Sequence, residues 1–487
     1  WLQRRYSSID ELNRAYGNVV WSGEYTSWSQ IQPPYGDYPH AWLNPALMLD
    51  YYRFASDNII SFCNMQAELI RKNCPGRPVT TNVWFCEHMP DFYREFAELD
   101  FISYDNYPPT RLPADTEAPY THAVPLHMTR GAKRKPFWVM EQLSGGMGCW
   151  APMSRIPEPG MIKGYALQAF AHGADTVLMF RWRTANIGAE MHWHGLLDHN
   201  NIPGRRFKEF AELCKVANTL QKFRGSAIKS DVAILMSFEN EYAFRIQPQT
   251  HGYYYLEQLQ RLHAAFAGLG LNVDIIDQHE PLDDYQVVVA PEMYVTDIAV
   301  VQHLHEFVAR GGTLVMTMRS GVKDTHNNAI MAPLPTVYRD MVGASVAEYD
   351  PIGGDSVPVR FEDGVLCNAK QWCDVLKVEA AHVLARYAGE YFSGQPAITH
   401  NSYGSGEVYY IGTVGSQMLY DKLIRELLDR AAIPYVAGLP SHVELVERTD
   451  ESQTLRFMFN NTAQPQQFKL HDEEISLKPF EMRIDMR

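Results

Sequence analysis

Four short β-rich runs, at residues 79–85, 101–104, 137–140 and 176–181, are separated by helical or loop segments, and polar residues follow each of them. Strands alternating with helices argue for parallel strands joined by crossover helices. Polar residues placed just after each run point to a barrel whose C-terminal rim carries the chemistry. Four strands cannot close a barrel of eight.

The flanking segments have their own punctuation. Ser8 and Glu11 stand in the spacing of a capping box, predicting a short helix that ends at Gly17. Asn44-Pro45 sets the start of a long helix and Pro75-Gly76 its stop. Tyr51, Ile59, Phe62, Met65 and Leu69 lie near a 3.6-residue period, which predicts a stripe packed on something apolar. After a loop near 224–229 the chain changes character. Strands are expected at 232–236, 273–276, 287–290 and 313–317, with helices at 252–268 and at 297–310, the latter stopped by Gly311-Gly312. That is a doubly wound α/β pattern. A further strand at 409–412 and a helix at 416–431 follow, and from Val443 alternating runs at 455–459 and 482–484 suggest a small β domain. The expected boundaries are 1–228, 229–437 and 438–487.

With 487 residues, 46% apolar and 21% charged, the chain is long enough for two or three domains with real cores. Its net charge of -14 is spread without acidic or basic blocks, which disfavours nucleic acid and anionic membrane and suits a small neutral substrate. No apolar run approaches the ~18 residues needed to cross a bilayer. Seven cysteines without a C-x-x-C pair read as buried or free thiols. The chain opens at Trp1 in what looks like a helix in mid-domain, so the natural protein is expected to be longer, and a signal peptide stays open.

The strongest chemical signal is the run from Pro136 to Gln142, an apolar strand ending abruptly at Glu141 and followed by Ser144-Gly145-Gly146. A strand buries its backbone but presents its last residues at a barrel mouth, where a carboxylate is fixed by neighbours and still reaches substrate. The alternative is a structural Glu paired to a rim arginine. Asp100 through Pro108 is a second strand running into polar and aromatic residues. Tyr107 there is placed to hydrogen-bond Glu141 or stack on a sugar face, while Asp105 and Asn106 serve equally well as turn formers before Pro108. A third signal follows the fourth strand: Arg181, then Glu190, His192, Trp193 and His194. A carboxylate accepts two hydroxyl protons and an imidazole nitrogen one, so these suit sugar hydroxyls. A metal reading of Glu and His is discounted on spacing. Nine of ten tryptophans fall within the first 193 residues. Indole stacks on the C–H faces of sugars, and Trp21, Trp150 and Trp193, in loop contexts, are the candidates for it.

Taken together, Leu12-Asn13, Val20-Trp21-Ser22, Asp100 through Pro108, Val139-Met140-Glu141-Gln142 and Gly188-Ala189-Glu190 resemble the family 42 β-galactosidases. The segments at 232–235, 238–240 and 311–315 resemble that family's second domain. The resemblance implies the C-terminal half of a (β/α)8 barrel, then a doubly wound, flavodoxin-like or amidotransferase-like trimerisation domain, then a small β domain. It implies Glu141 as the nucleophile of a retaining β-galactosidase. Trp21, Tyr107, Trp150, Glu190, His192 and His194 would hold the substrate, a galactoside or galacto-oligosaccharide. The family's acid/base glutamate follows an Asn at the end of the fourth strand. No Asn-Glu pair opens this chain, so that residue is expected upstream of Trp1, together with the cysteine cluster that binds structural zinc in some members. No cofactor is expected. A homotrimer in a bacterial cytoplasm is. One position departs from the pattern: Trp193 stands where the family often has His, flanked by His192 and His194.

A retaining mechanism needs two carboxyl groups about 5 Å apart, and within the chain only Glu190 and Glu87 offer stand-ins for the acid. Two rival readings remain. One keeps the hydrolase class but changes the sugar, for instance to an α-L-arabinopyranoside. The other is a non-catalytic carbohydrate-binding or assembly module; Cys367 and Cys373 lie outside any strand-turn-helix elbow that would arm a nucleophile.

Overall fold

The computed structural model describes residues 1–34, 43–85, 89–110, 120–149, 152–450 and 453–487. The chain divides into two compact units. Trp1–Cys63, Ile234–Leu259 and Asp277–Tyr420 form the first, and Asn64–Ala233, Gln260–Ile276 and Asp421–Arg487 the second. The fold is α/β.

The second unit holds the curled parallel sheet foreseen from the alternating runs. Its strands are β1 (Asn82–Val83), β2 (Ser103–Asn106), β3 (Phe137–Leu143) and β4 (Ala174–Phe180), side by side in sequence order. Helices Val124–Gly131, Met161–Ala171 and Arg205–Leu220 connect or follow them. Strand β2 is buried along its whole length, as a strand covered on both faces must be. Downstream in the same unit, Val443–Thr449, Thr454–Asn460 and Met482–Met486 make an antiparallel sheet, and Gln466–Leu470 pairs with Glu473–Leu477. Ala166, Leu167 and Ala171 of the Met161–Ala171 helix share a core with Val446, Leu455 and Phe457 of that sheet. Gly164 is needed here, because a Cβ would stand 2.6 Å from the Phe459 ring.

In the first unit, Ile9–Tyr16 is the short helix expected. Ser8 caps it through the Glu11 N–H at 3.1 Å, and Gly17 ends it in a left-handed conformation. The reciprocal half of the box has moved: the Glu11 carboxylate accepts the backbone N–H of Ser7, not Ser8. Tyr6 and Tyr16 both donate to Asp50, which also takes Arg53 at 2.9 Å. The long helix is Pro45–Asn73, its residues to Cys63 counted in the first unit and those from Asn64 in the second. Its expected apolar stripe is not packed: Tyr51, Ile59, Phe62, Met65 and Leu69 are all exposed, Phe62 at 60%. The helix buries a different face instead, carried by Leu49, Ser56, Ile60 and Ala67.

Strands Val287–Ala290, Thr313–Thr317 and Gly406–Ile411 of the first unit pair in parallel, as a doubly wound sheet requires. The sheet then departs from that pattern. Beyond Gly406–Ile411 it continues antiparallel through Pro396–Tyr403, His382–Tyr387, Ala344–Phe361 and Leu366–Val378. No helix of the described residues is long and apolar enough to cross a membrane.

Candidate active site at the ends of three strands

Glu141 sits on an irregularity of β3. Between Val139 and Glu141 the strand carries one more residue than β2 between Tyr104 and Asp105, and between Val139 and Gln142 one more than β4 between Val177 and Met179. Met140 is therefore a bulge seen from both neighbours, and the alternation of buried and half-buried residues breaks there, with Met140 and Glu141 both half-buried. Bulges beside active sites re-aim a side chain, and this one sets the direction of the carboxylate.

Tyr107, just past the end of β2, donates its hydroxyl to Glu141 Oε2 at 2.6 Å. Burial, followed by that hydrogen bond, holds the phenol protonated far above its ordinary range. Among the described residues Oε1 accepts no hydrogen bond, so one oxygen is fixed and the other is open. The neighbouring pair is tied in the same way: Asn106 donates to Gln142 Oε1 at 3.0 Å, and both are buried.

Asp105 is paired in register with Glu141 and is only 6% exposed. It and Asn106 belong to β2, so the turn-former alternative is overturned: the strand runs two residues further than the apolar run suggested. Asn82 of β1 donates to Asp105 Oδ2. Burial pushes the Asp105 carboxyl up to about 6; the Asn82 hydrogen bond pulls the other way and the charge of Glu141 adds to the rise. Two carboxyl groups thus flank each other at the strand ends, which places Asp105 in the electrostatics of Glu141.

The third element is the segment after β4. Arg181 forms an ion pair with Glu190, committing that carboxylate to a guanidinium. Trp193 is 5% exposed and packs edge-on between Tyr107 at 4.9 Å and Phe180 at 5.5 Å. It is the wall behind Tyr107, not an open stacking face. His194 donates its backbone N–H to Gly146 O at 2.9 Å, and its Nδ1 lies 3.3 Å from the same carbonyl. That approach explains the glycines after Glu141: a Cβ on Gly145 would meet His194 O at 2.6 Å. His192 is exposed, its ring 6.4 Å from that of His199. No three metal-ligating side chains among the described residues are grouped to hold an ion.

Glu141, Tyr107, Glu190 and His194 therefore converge on one sheet end. Trp21 belongs to the first unit, where it is 92% exposed with a left-handed backbone. Trp150 and Glu87 lie outside the described residues. Asn82 was missed by sequence reasoning, since a two-residue strand carries no periodicity.

With this geometry in hand, the comparisons are specific. Residues 1–220 match the family model described as β-galactosidase, of glycoside hydrolase family 42, residues 230–434 its β-galactosidase trimerisation domain, and residues 442–484 its β-galactosidase C-terminal domain. The chain belongs to the family 42 β-galactosidases. Among relatives of this family 42 chain, β-galactosidase BgaA of Clostridium cellulovorans is 47% identical over 463 residues, covering 95% of this chain and 70% of its own length. β-Galactosidase BglY of Alicyclobacillus acidocaldarius is 31% identical over 97% of this chain and 70% of its own. Two crystal structures superpose over the whole chain: the β-galactosidase of Rahnella sp. R3 (TM-score 0.95, 29% identity, 74% of that chain) and that of Bacillus circulans sp. alkalophilus (TM-score 0.93, 27%, 75%). Family membership makes the chain a glycoside hydrolase.

Proposed function

We propose that this family 42 protein cleaves terminal non-reducing β-D-galactosides with retention, through a covalent galactosyl ester on Glu141. The observation that carries the reading is the Tyr107-anchored carboxylate: Oε2 accepts the phenol at 2.6 Å while Oε1 is open at the strand end. Attack of Oε1 on the anomeric carbon forms the ester as the glycosidic bond breaks, and water then releases galactose. A proton must reach the leaving oxygen from a second carboxyl group about 5 Å away. The ion pair with Arg181 removes Glu190 from that task and suits it to binding a galactose hydroxyl. His192 and His194 join it as hydroxyl partners, and Trp21 and Trp150 are assigned to the sugar's apolar face.

The rest of the reading follows the matched segments. Residues 1–228 act as part of the catalytic barrel, 229–437 as a doubly wound trimerisation domain and 438–487 as a small β domain, in a homotrimer. The chemistry rests on carboxyl groups and needs no cofactor. A bacterial cytoplasm is the setting the family resemblance implies.

The test compares wild type with Glu141→Gln on a chromogenic β-D-galactoside, with azide added to the variant. Loss of turnover with azide-dependent formation of an α-galactosyl azide is the expected result. Full activity in a folded variant removes Glu141 from the mechanism. Faster turnover of an α-L-arabinopyranoside would reassign the sugar.

A further inference from the structure

In the first unit, Arg319 follows the strand Thr313–Thr317 with a left-handed backbone (φ 62°) and is 7% exposed. Its Nη2 donates to Gln249 Oε1 at 2.6 Å, and its Nε is buried with no partner among the described residues. The guanidinium carbon lies 4.7 Å from the Trp372 ring centre, 5.1 Å from that of Tyr349 and 5.6 Å from that of Tyr294. Beside it, Lys323 Nζ donates, among the described residues, to neutral oxygens: Gln247 Oε1 at 3.0 Å and Asn327 O at 2.9 Å. Burial, followed by the charge of Arg319, weakens the hold of Lys323 on its proton. Both cations line an open cavity of about 530 Å³, with Gln249, Tyr294 and Tyr349.

Two carboxylates are near enough to matter electrostatically, and neither is in ion-pair contact with the cations among the described residues. Asp374 accepts Trp372 Nε1 at 2.8 Å and Tyr410 at 3.0 Å, together with the Arg319 backbone N–H. Asp324 accepts the backbone N–H groups of His326 and Asn328. Desolvated cations need a paired anion, and aromatic faces replace only part of the lost hydration. A planar guanidinium fork next to an ammonium matches the oxygens of a phosphate, and the tyrosine rings offer an apolar wall to whatever carries it.

We infer that this cavity is a binding site for a small oxyanion, a phosphate group above all, held by Arg319 and Lys323 against Tyr294 and Tyr349.

Isothermal titration of the protein with inorganic phosphate and with phenyl phosphate, at fixed ionic strength, tests it. Saturable binding is expected. Tighter binding of phenyl phosphate assigns the site to phosphate esters, and equal binding to the free ion; both uphold the site. Arg319→Gln is expected to weaken binding by about tenfold to a hundredfold, and Lys323→Met to weaken it too. Gln249→Glu places a near-isosteric carboxylate on Arg319, and a thermal melt matching wild type together with unchanged galactoside turnover guards against a merely unfolded variant; it is expected to abolish binding. No heat with either probe, or undiminished binding in Gln249→Glu, overturns the proposal and returns Arg319 to a structural role within its ring of aromatics.

Discussion

Replacing Tyr107 with Phe isolates one interaction. The phenol donates to Glu141 Oε2 at 2.6 Å, while the ring packs edge-on against Trp193 at 4.9 Å. Phe keeps the ring and its packing and deletes only the donor. A hydrogen bond to a charged group contributes about 1.5–3 kcal/mol, and each 1.36 kcal/mol is a tenfold change in rate. The donor fixes the attacking carboxylate and stabilises it again as it leaves in the second step. The expected loss is therefore about tenfold to 150-fold, falling on kcat more than on KM because the hydroxyl donates to Glu141 Oε2. Initial rates on a chromogenic β-galactoside, beside a thermal melt within a degree or two of wild type, read this directly. A folded Tyr107→Phe enzyme with undiminished kcat would falsify the assignment of Tyr107 as the group that positions Glu141.

The other predictions concern burial and close approach. Glu292 is fully buried, and burial raises its carboxyl to about 8; an acid raised on folding contributes stability in full below its ordinary value of 4.5 and loses it as pH rises through 8. Glu292→Gln is expected to remove that decline and raise Tm at pH 8.5 relative to wild type, whereas parallel Tm–pH curves would refute the burial argument. Asp105, raised to about 6, predicts the same behaviour in a lower window, roughly pH 4 to 6, so Asp105→Asn should flatten the stability curve there; a curve that keeps its wild-type slope contradicts this. Gly145→Ala forces a Cβ to 2.6 Å from His194 O, and overpacking of this kind costs about 1–3 kcal/mol. A lower denaturant midpoint and impaired turnover are expected, and an unchanged enzyme would show that the loop yields freely.

The sequence was most legible where burial imposes a simple pattern. The strands Val232–Met236, Val287–Ala290 and Thr313–Thr317 are short apolar runs, and the structure returns them with the bounds read from the sequence. The helix Ile298–Ala309 keeps Asp297 as its cap and Arg310 at its end. The long arms Ala344–Phe361 and Leu366–Val378 could not be read: much of the first is exposed on both faces, and Pro351, Gly353, Gly354 and Pro358 punctuate it like a loop. Their hydrogen bonds come from each other, and a single strand does not display its partner.

In the site, Glu141 and Tyr107 were readable because each follows closely on a β-rich run. The bulge at Met140 was not, since it exists only in register with β2 and β4. The same holds for Asn82 and Asp105, brought together across 23 residues by pairing of neighbouring strands. The exposed stripe on Pro45–Asn73 shows the opposite failure, in which a 3.6-residue period is real but lies on the face the chain leaves open.

The central claim is that Glu141 is the nucleophile. Incubation of the active enzyme with a 2-deoxy-2-fluoro-β-D-galactosyl fluoride, which slows the second step more than the departure of fluoride, traps the ester for peptide mass spectrometry. Our account predicts one added fluorogalactosyl group on the peptide that contains Glu141. Label on another carboxylate, or turnover without any trapped ester, would contradict it.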